Sequence, residues 1–274
     1  MKTVALGNLS KMSHRLASPV TYNMVLGSEE IPLNEFIGQT LQLTFTGEIH
    51  CCHRGRKTKK SFNQGYCFPC MKKLAQCDSC IMSPEKCHFS AGTCREPEWG
   101  RANCMITHYV YLANSSGLKV GITRHTQVPT RWIDQGAIQA LPVFAVSSRR
   151  LSGLVEVLFR DLITDRTNWR AMLKGQVEAV DMLAARDSLL VELNDRLALL
   201  MREEQEDFTV ITNADVVHIQ YPVATYPSKI TSLNAEKQPV IEGQLQGIKG
   251  QYLILDTGCI NIRKYTAYEA SLAI

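Results

Sequence analysis

Residues 109–124 read YVYLANSSGLKVGITR, two apolar runs joined by a short polar connection. YVYLA and LKVGIT are of strand length and rich in β-branched and aromatic side chains, and SSG between them suits a tight turn, so the stretch predicts a strand pair. LPVFAVS at 141–147 supplies a third strand. SGLVEVLFRDLITD then predicts a helix with Ser152 as its N-cap and Leu154, Leu158 and Leu162 along one stripe. An α/β module over residues 105–175 is the consequence.

On the C-terminal side, residues 176–205 read as a long amphipathic helix. Leu183, Leu190 and Leu197 recur every seven positions, Val180, Leu193 and Leu200 lie three positions from members of that series, and Asp187 and Asn194 interrupt the other flank. Such a helix either packs on its own sheets or offers a seam to a second copy or another protein. Short strand patterns occupy both ends of the chain: TYNMVL at 21–26 and TLQLTFTGEIH at 40–50, then VVHIQYPV, PVIEGQL, QYLILDT and INIRKY. Gly247 and Gly250 in LQGIKGQYLIL mark a hairpin. Residues 1–50 and 212–274 are expected to form one β-rich body, the alternative being an independent sheet at each end. With 51–104 as a cysteine-rich module and 176–211 as helix and linker, the fold class is α+β with several domains.

The 274 residues carry 45% hydrophobic and 20% charged side chains and a formal charge of +4, an ordinary soluble composition without a signature of disorder. No stretch reaches the roughly 18 apolar residues of a membrane span, and polar residues break the N-terminal apolar run before a signal-peptide core forms. A cytoplasmic protein that does not enter membranes is expected.

Nine of the ten cysteines lie between Cys51 and Cys104. In a reducing compartment such a cluster is better explained by metal than by disulfides. Cys77, Cys80, Cys87 and Cys94 offer four thiolates, a set that closes the tetrahedron of a structural zinc ion, with His88 as an alternative ligand. Cys67 and Cys70 form a second pair. Its partners would be Cys51 with His53, or Cys52 with His53 or a distant Cys104; otherwise Arg54 stands in a ligand position that has lost its metal. One or two structural zinc ions follow. A basic tract, Arg54, Arg56, Lys57, Lys59 and Lys60, interrupts this cysteine-rich segment beside Tyr66 and Phe68. It suits either phosphate contact with base stacking or a solvated loop that balances thiolate charge.

The region of about residues 107–170 resembles the GIY-YIG nuclease superfamily, and GRKTKKSFNQGYCFPC, CDSCIMSPEKCH, GTCREPEWG, KVGITR, RWIDQGA and EGQLQGIKGQYLIL resemble an uncharacterised bacterial family joining cysteine-rich segments to a diverged version of that module. In this resemblance Tyr109–Tyr111 covers the first motif, with tyrosine in place of its glycine, and Lys119–Gly121 the second, with lysine in place of its tyrosine. The resemblance implies site roles for Tyr111, Arg131, Glu156 and Asn168, and a magnesium or manganese ion on Glu156 if the site is catalytic. Lysine cannot replace a phenol as an acid–base group but can bind phosphate. Binding of DNA or RNA is therefore the leading expectation, with Arg56, Lys57, Lys59, Lys60, Lys119, Arg124 and Trp132 as contacts. A metal-dependent endonuclease using Tyr111, Arg131 and Glu156 is the alternative.

Overall fold

The computed structural model describes residues 1–206 and 208–274, which mix helix and sheet. They divide into two compact units, each discontinuous in sequence: Met1–Lys73, Leu173–Gly175 and Ile219–Ile274 form one, Leu74–Met172 and Gln176–His218 the other.

The first unit is built on a six-stranded sheet that interleaves the two ends of the chain. Its order is Thr3–Asn8, Tyr268–Ala273, Thr40–Ile49, Val240–Lys249, Tyr252–Leu255 and Gly258–Asn261, each adjacent pair antiparallel. Alternation drives it: Leu41, Leu43 and Phe45 face the core while the residues between them stay partly in solvent. TYNMVL joins a separate three-stranded sheet with Ser13–Arg15 and Glu29–Pro32. At the hairpin Gly250 takes φ +62°, and a Cβ on Gly247 would come within 2.6 Å of the Val223 backbone. INIRKY is only briefly extended before a 3-10 turn at Ile262–Tyr265.

In the second unit His108–Asn114 lies between Leu118–Arg124 and Gln139–Val146, all antiparallel. Val217 and His218 pair with Ala140 and Gln139, so VVHIQYPV gives its strand to this sheet, while its last residue, Val223, bridges Gly247 in the sheet of the chain ends. Ser148, not Ser152, caps the Arg149–Arg160 helix: its Oγ accepts from Leu151 N at 3.2 Å, while Ser152 Oγ donates back to Arg149 O inside the helix. The earlier start makes Leu151, Val155 and Phe159 the buried line, with Leu154, Leu158 and Leu162 only partly buried beside it.

The long helix spans Met182–Glu204, with Asp181 as its cap. Its buried side is Met182, Arg186, Leu189, Leu193, Leu197 and Leu200, and Leu183 is exposed. Arg186 hides this stripe from a count of apolar residues; its guanidinium turns to Asp187 Oδ1 at 2.8 Å. Leu189, Leu193, Leu197 and Leu200 pack into the same core as Val110, Leu141 and Phe144. No described helix is long and apolar enough to cross a membrane.

Candidate functional site

The second unit gathers a polar cluster from two strands and two helices. Lys119 and Gly121 share one face of their strand, and Tyr111 lies opposite Gly121. A Cβ at Gly121 would sit 2.6 Å from Tyr111 Oη. The glycine is therefore required by the tyrosine that crosses it. Arg131 enters from the Thr130–Asp134 helix and Glu156 from the Arg149–Arg160 helix.

Gln135 joins the parts. With its amide oxygen toward the guanidinium it accepts from Arg131 Nε and Nη2, each at 3.2 Å, and its nitrogen donates to Tyr111 Oη at 3.0 Å. Gln135 lies four positions after Arg131, which brings their side chains to one side of the chain. Asp165 arrives on the segment after the Glu156 helix, tied beside the Lys119 strand by Val120 N donating to Thr164 O at 2.9 Å.

The charges act on one another. Burial, then the charge of Asp165, raises the Glu156 carboxyl to about 7, against the pull of Arg160, Lys119 and Arg131. Burial, then Arg131, lowers the Lys119 ammonium to about 8, with Glu156 and Asp165 opposing. Burial also pushes the Tyr111 phenol up, opposed by Arg131. A carboxyl and an ammonium thus titrate near neutrality while the phenol keeps its proton. Tyr111 and Lys119 are buried; Arg131 and Glu156 are half-buried. Arg160 Nη1 lies 3.6 Å from Asp165 Oδ2.

Several expected contacts lie elsewhere. Trp132 is 2% exposed and stands edge-on to Tyr111 with ring centres 6.0 Å apart, so packing of its short helix removes the face a base would need. Arg124 is on the opposite strand face from Lys119, and its Nη1 donates to Asn103 Oδ1. Asn168 is exposed, and its Oδ1 accepts from the N–H groups of Arg170 and Ala171 at 3.2 Å each, the use of a helix cap. Asp165 had no motif to announce it, whereas Gln135 follows Arg131 at a spacing that could have signalled a pair.

In the first unit Arg54, Arg56, Lys57, Lys59 and Lys60 are all exposed. Lys57 Nζ donates to Glu48 Oε1 at 2.6 Å. Lys60 Nζ lies 5.5 Å from the centre of the Phe62 ring, and Lys72 Nζ lies 5.7 Å from that of Phe68. Phe68 is 51% exposed and meets Phe62 edge-on, which leaves an aromatic surface among cations.

The thiols form two unlike groups. The sulfurs of Cys51, Cys67 and Cys70 lie within 4.8 Å of one another and could hold a metal ion. Burial opposes ionisation of Cys51, yet backbone N–H groups of Cys67, Arg54 and His53, with the Cys67 thiol, bring it down to about 7. Burial and its two thiol neighbours push Cys70 up to about 12. Arg54 therefore contributes its backbone where a fourth thiolate was expected. His53 is exposed and stands outside that group of three, as does the exposed Cys52.

Cys80, Cys87 and Cys94, three of the four thiols expected to share an ion, line a recess in the second unit together with Cys104. Cys104 comes to the recess as the C-cap of the Pro97–Asn103 helix, a placement that sequence spacing does not reveal. His88 is engaged by Asp78 Oδ2 at 3.3 Å and by Thr93 Oγ1 at 2.8 Å. Asp78, Cys80 and His88 also bring donor atoms within 4.8 Å of one another.

Neither a curated protein nor a solved structure matches the chain. The family model described as "Protein of unknown function (DUF2797)" matches residues 38–270, and the chain belongs to that family.

Proposed function

We propose that the protein binds nucleic acid, using Lys119 and Arg131 as a phosphate contact and the exposed 54–60 tract with Phe68 as a second, basic and aromatic surface. The observation that carries this reading is the Tyr111–Gln135–Arg131 chain. It fixes a guanidinium fork in the same cluster as a lysine, and a preset fork loses less freedom when it meets a phosphate. In this account residues 105–175 are a GIY-YIG-like module in which the buried Tyr111 positions Arg131 and does not itself exchange protons. Arg131 and the tract supply affinity that weakens with salt, while Phe68 stacks on unpaired bases.

Cys51, Cys67 and Cys70 suit zinc as a structural ion. Thiolates are its preferred donors, and the N–H groups around Cys51 favour the ionised sulfur. The zinc content of the purified chain tests this assignment: Cys67→Ser should release one ion, and an unchanged content contradicts it.

A second reading, metal-dependent phosphodiester cleavage, is favoured by the Glu156–Asp165 pair. Two adjacent carboxylates, one losing its proton near neutrality, suit magnesium or manganese, which would supply a polarised water and charge on the scissile phosphate. Labelled DNA and RNA panels with either metal separate the readings. Binding without product, weakened in Arg131→Met, is the expected result. Metal-dependent product lost in Glu156→Gln would transfer the conclusion to the enzyme, and failure to bind any strand contradicts both.

A further inference from the structure

We infer that Asp78, Cys80 and His88 are the ligands of one zinc ion in the second unit, a centre additional to that of Cys51, Cys67 and Cys70. The inference does not rest on the phosphate site. A carboxylate oxygen of Asp78, the sulfur of Cys80 and a ring nitrogen of His88 all lie within 4.8 Å of one another. Among the described residues that group takes in none of Cys77, Cys87 and Cys94. A mixed donor set therefore stands where cysteine spacing suggests four thiolates.

Hydrogen bonding decides which nitrogen of His88 is free to bind. Thr93 Oγ1 donates its one proton to His88 O at 3.3 Å, so toward Nδ1, 2.8 Å away, the same oxygen can only accept. Nδ1 therefore carries hydrogen, and a neutral ring turns its Nε2 lone pair toward Asp78 Oδ2 at 3.3 Å. Two lone pairs facing each other call for a cation between them. A second ring proton would leave a plain ion pair; the Cys80 sulfur beside both atoms favours a metal. Zn–N and Zn–O bonds of about 2.0 Å at the tetrahedral angle hold their two atoms about 3.3 Å apart, the separation observed. A Zn–S bond of about 2.3 Å draws the Cys80 sulfur to about 3.5 Å from each.

The surroundings suit a single ion. Asp78 is buried, and its remaining contacts orient the carboxylate: Oδ1 accepts from Ser79 N at 2.6 Å and Oδ2 from Arg95 Nε at 2.8 Å. Oδ2 keeps a second lone pair for the metal. One carboxylate, one thiolate and one neutral imidazole balance a divalent charge. Oxygen, sulfur and nitrogen together select zinc over magnesium or calcium, which take oxygen donors. The recess that the three line admits about one water-sized body, which is room for one ion. Between Leu74 and Arg95 the chain makes 3-10 turns at Ala75–Cys77, Ser79–Ile81 and Pro84–Lys86, with no strand or α-helix among the described residues there. A segment so poor in regular structure has much to gain from a metal that ties its turns together.

The test is the zinc content of the full chain purified after growth with added zinc. About two ions per chain are expected, falling to about one in His88→Ala and in Cys67→Ser and unchanged in Cys77→Ser, with circular dichroism verifying the fold. Thr93→Val leaves every ligand in place but frees the ring, so it should keep both ions and lower the affinity of one by about tenfold against a competing chelator. Anomalous scattering from zinc in crystals of the parent locates the ion without any substitution, so a variant that fails to fold does not protect the idea. No zinc between Asp78, Cys80 and His88 overturns the inference, as does an ion lost in Cys77→Ser and kept in His88→Ala. A parent with about one ion, absent from Cys67→Ser and kept in His88→Ala, overturns it too and leaves the Cys51 centre standing. An ion that survives Cys67→Ser and is lost in His88→Ala supports it whatever becomes of that other centre.

Discussion

Lys119 in one unit and Lys249 in the other are buried alike, at 3% and 1% exposure, and each ammonium is brought down to about 8. Their neighbours differ. Lys249 Nζ lies over the rings of Tyr221 and Tyr226 at 5.3 and 5.4 Å, and burial is the whole cause of its shift. Lys119 answers to burial and also to Arg131, Glu156 and Asp165. An ammonium sleeved by aromatic faces is a packing solution, whereas one set among charges of both signs retains something to exchange with a ligand. Burial alone therefore does not mark a site; the identity of the neighbours does.

The largest expected effect breaks the comparison at its charged end. Arg131→Met should weaken binding of a labelled strand by tenfold or more and lower the salt slope by about one. If the variant binds as the parent does, Lys119 stands beside no phosphate contact and loses its distinction from Lys249.

Glu156→Gln should act in the opposite direction on stability. The folded carboxyl is held at about 7 against an ordinary 4.5, so the cost of ionising it grows as pH rises between those values and is complete above them. Removing the charge should stabilise the protein at pH 8 by on the order of 1–3 kcal/mol and change little at pH 4. Paired urea titrations at the two pH values check this; a variant destabilised at pH 8 would mean that Glu156 is supported by its cations more than it is penalised by burial.

The smallest effect sharpens the aromatic end. Lys249 is held at about 8 against an ordinary 10.5, so the protein carries the cost of its charge below about pH 8 and sheds it as pH rises to 10.5. Lys249→Met should raise stability at pH 7 by about 1 kcal/mol, because the lost ring contacts offset part of the relief. The gain should vanish above pH 10.5, and thermal melts across that range read it. A loss of stability at pH 7 would assign the tyrosine sleeve a larger share than burial.

What the sequence made legible was local. The strand–turn–strand of residues 109–124 and the Gly250 hairpin announce themselves through apolar runs broken by turn formers, and alternation at 40–50 marks a sheet face. Features decided by distant neighbours stayed hidden. Ser148 and Ser152 are equivalent as letters, and only the observed helix start chooses between them. Arg186 masks the buried stripe of the long helix. Trp132, beside Arg131, reads as a nucleic-acid contact until its packing against Tyr111 takes it inward. Asp165 reaches the cluster through a backbone bond at Thr164, and Cys104 reaches the recess through a helix end; neither carries a spacing that foretells its partners. Of the candidate site, Tyr111, Lys119, Arg131 and Glu156 could be named in advance because a motif carried them, whereas their protonation depends on burial, which no motif encodes.

The most direct measurement is the affinity of a labelled single strand for parent, Lys119→Met and Lys249→Met protein in one salt series. The account requires a loss of about fivefold or more and a shallower salt dependence for Lys119→Met, with Lys249→Met indistinguishable from the parent. Equal affinities for all three, or a loss confined to Lys249→Met, would contradict the assignment of phosphate recognition to the Lys119–Arg131 cluster.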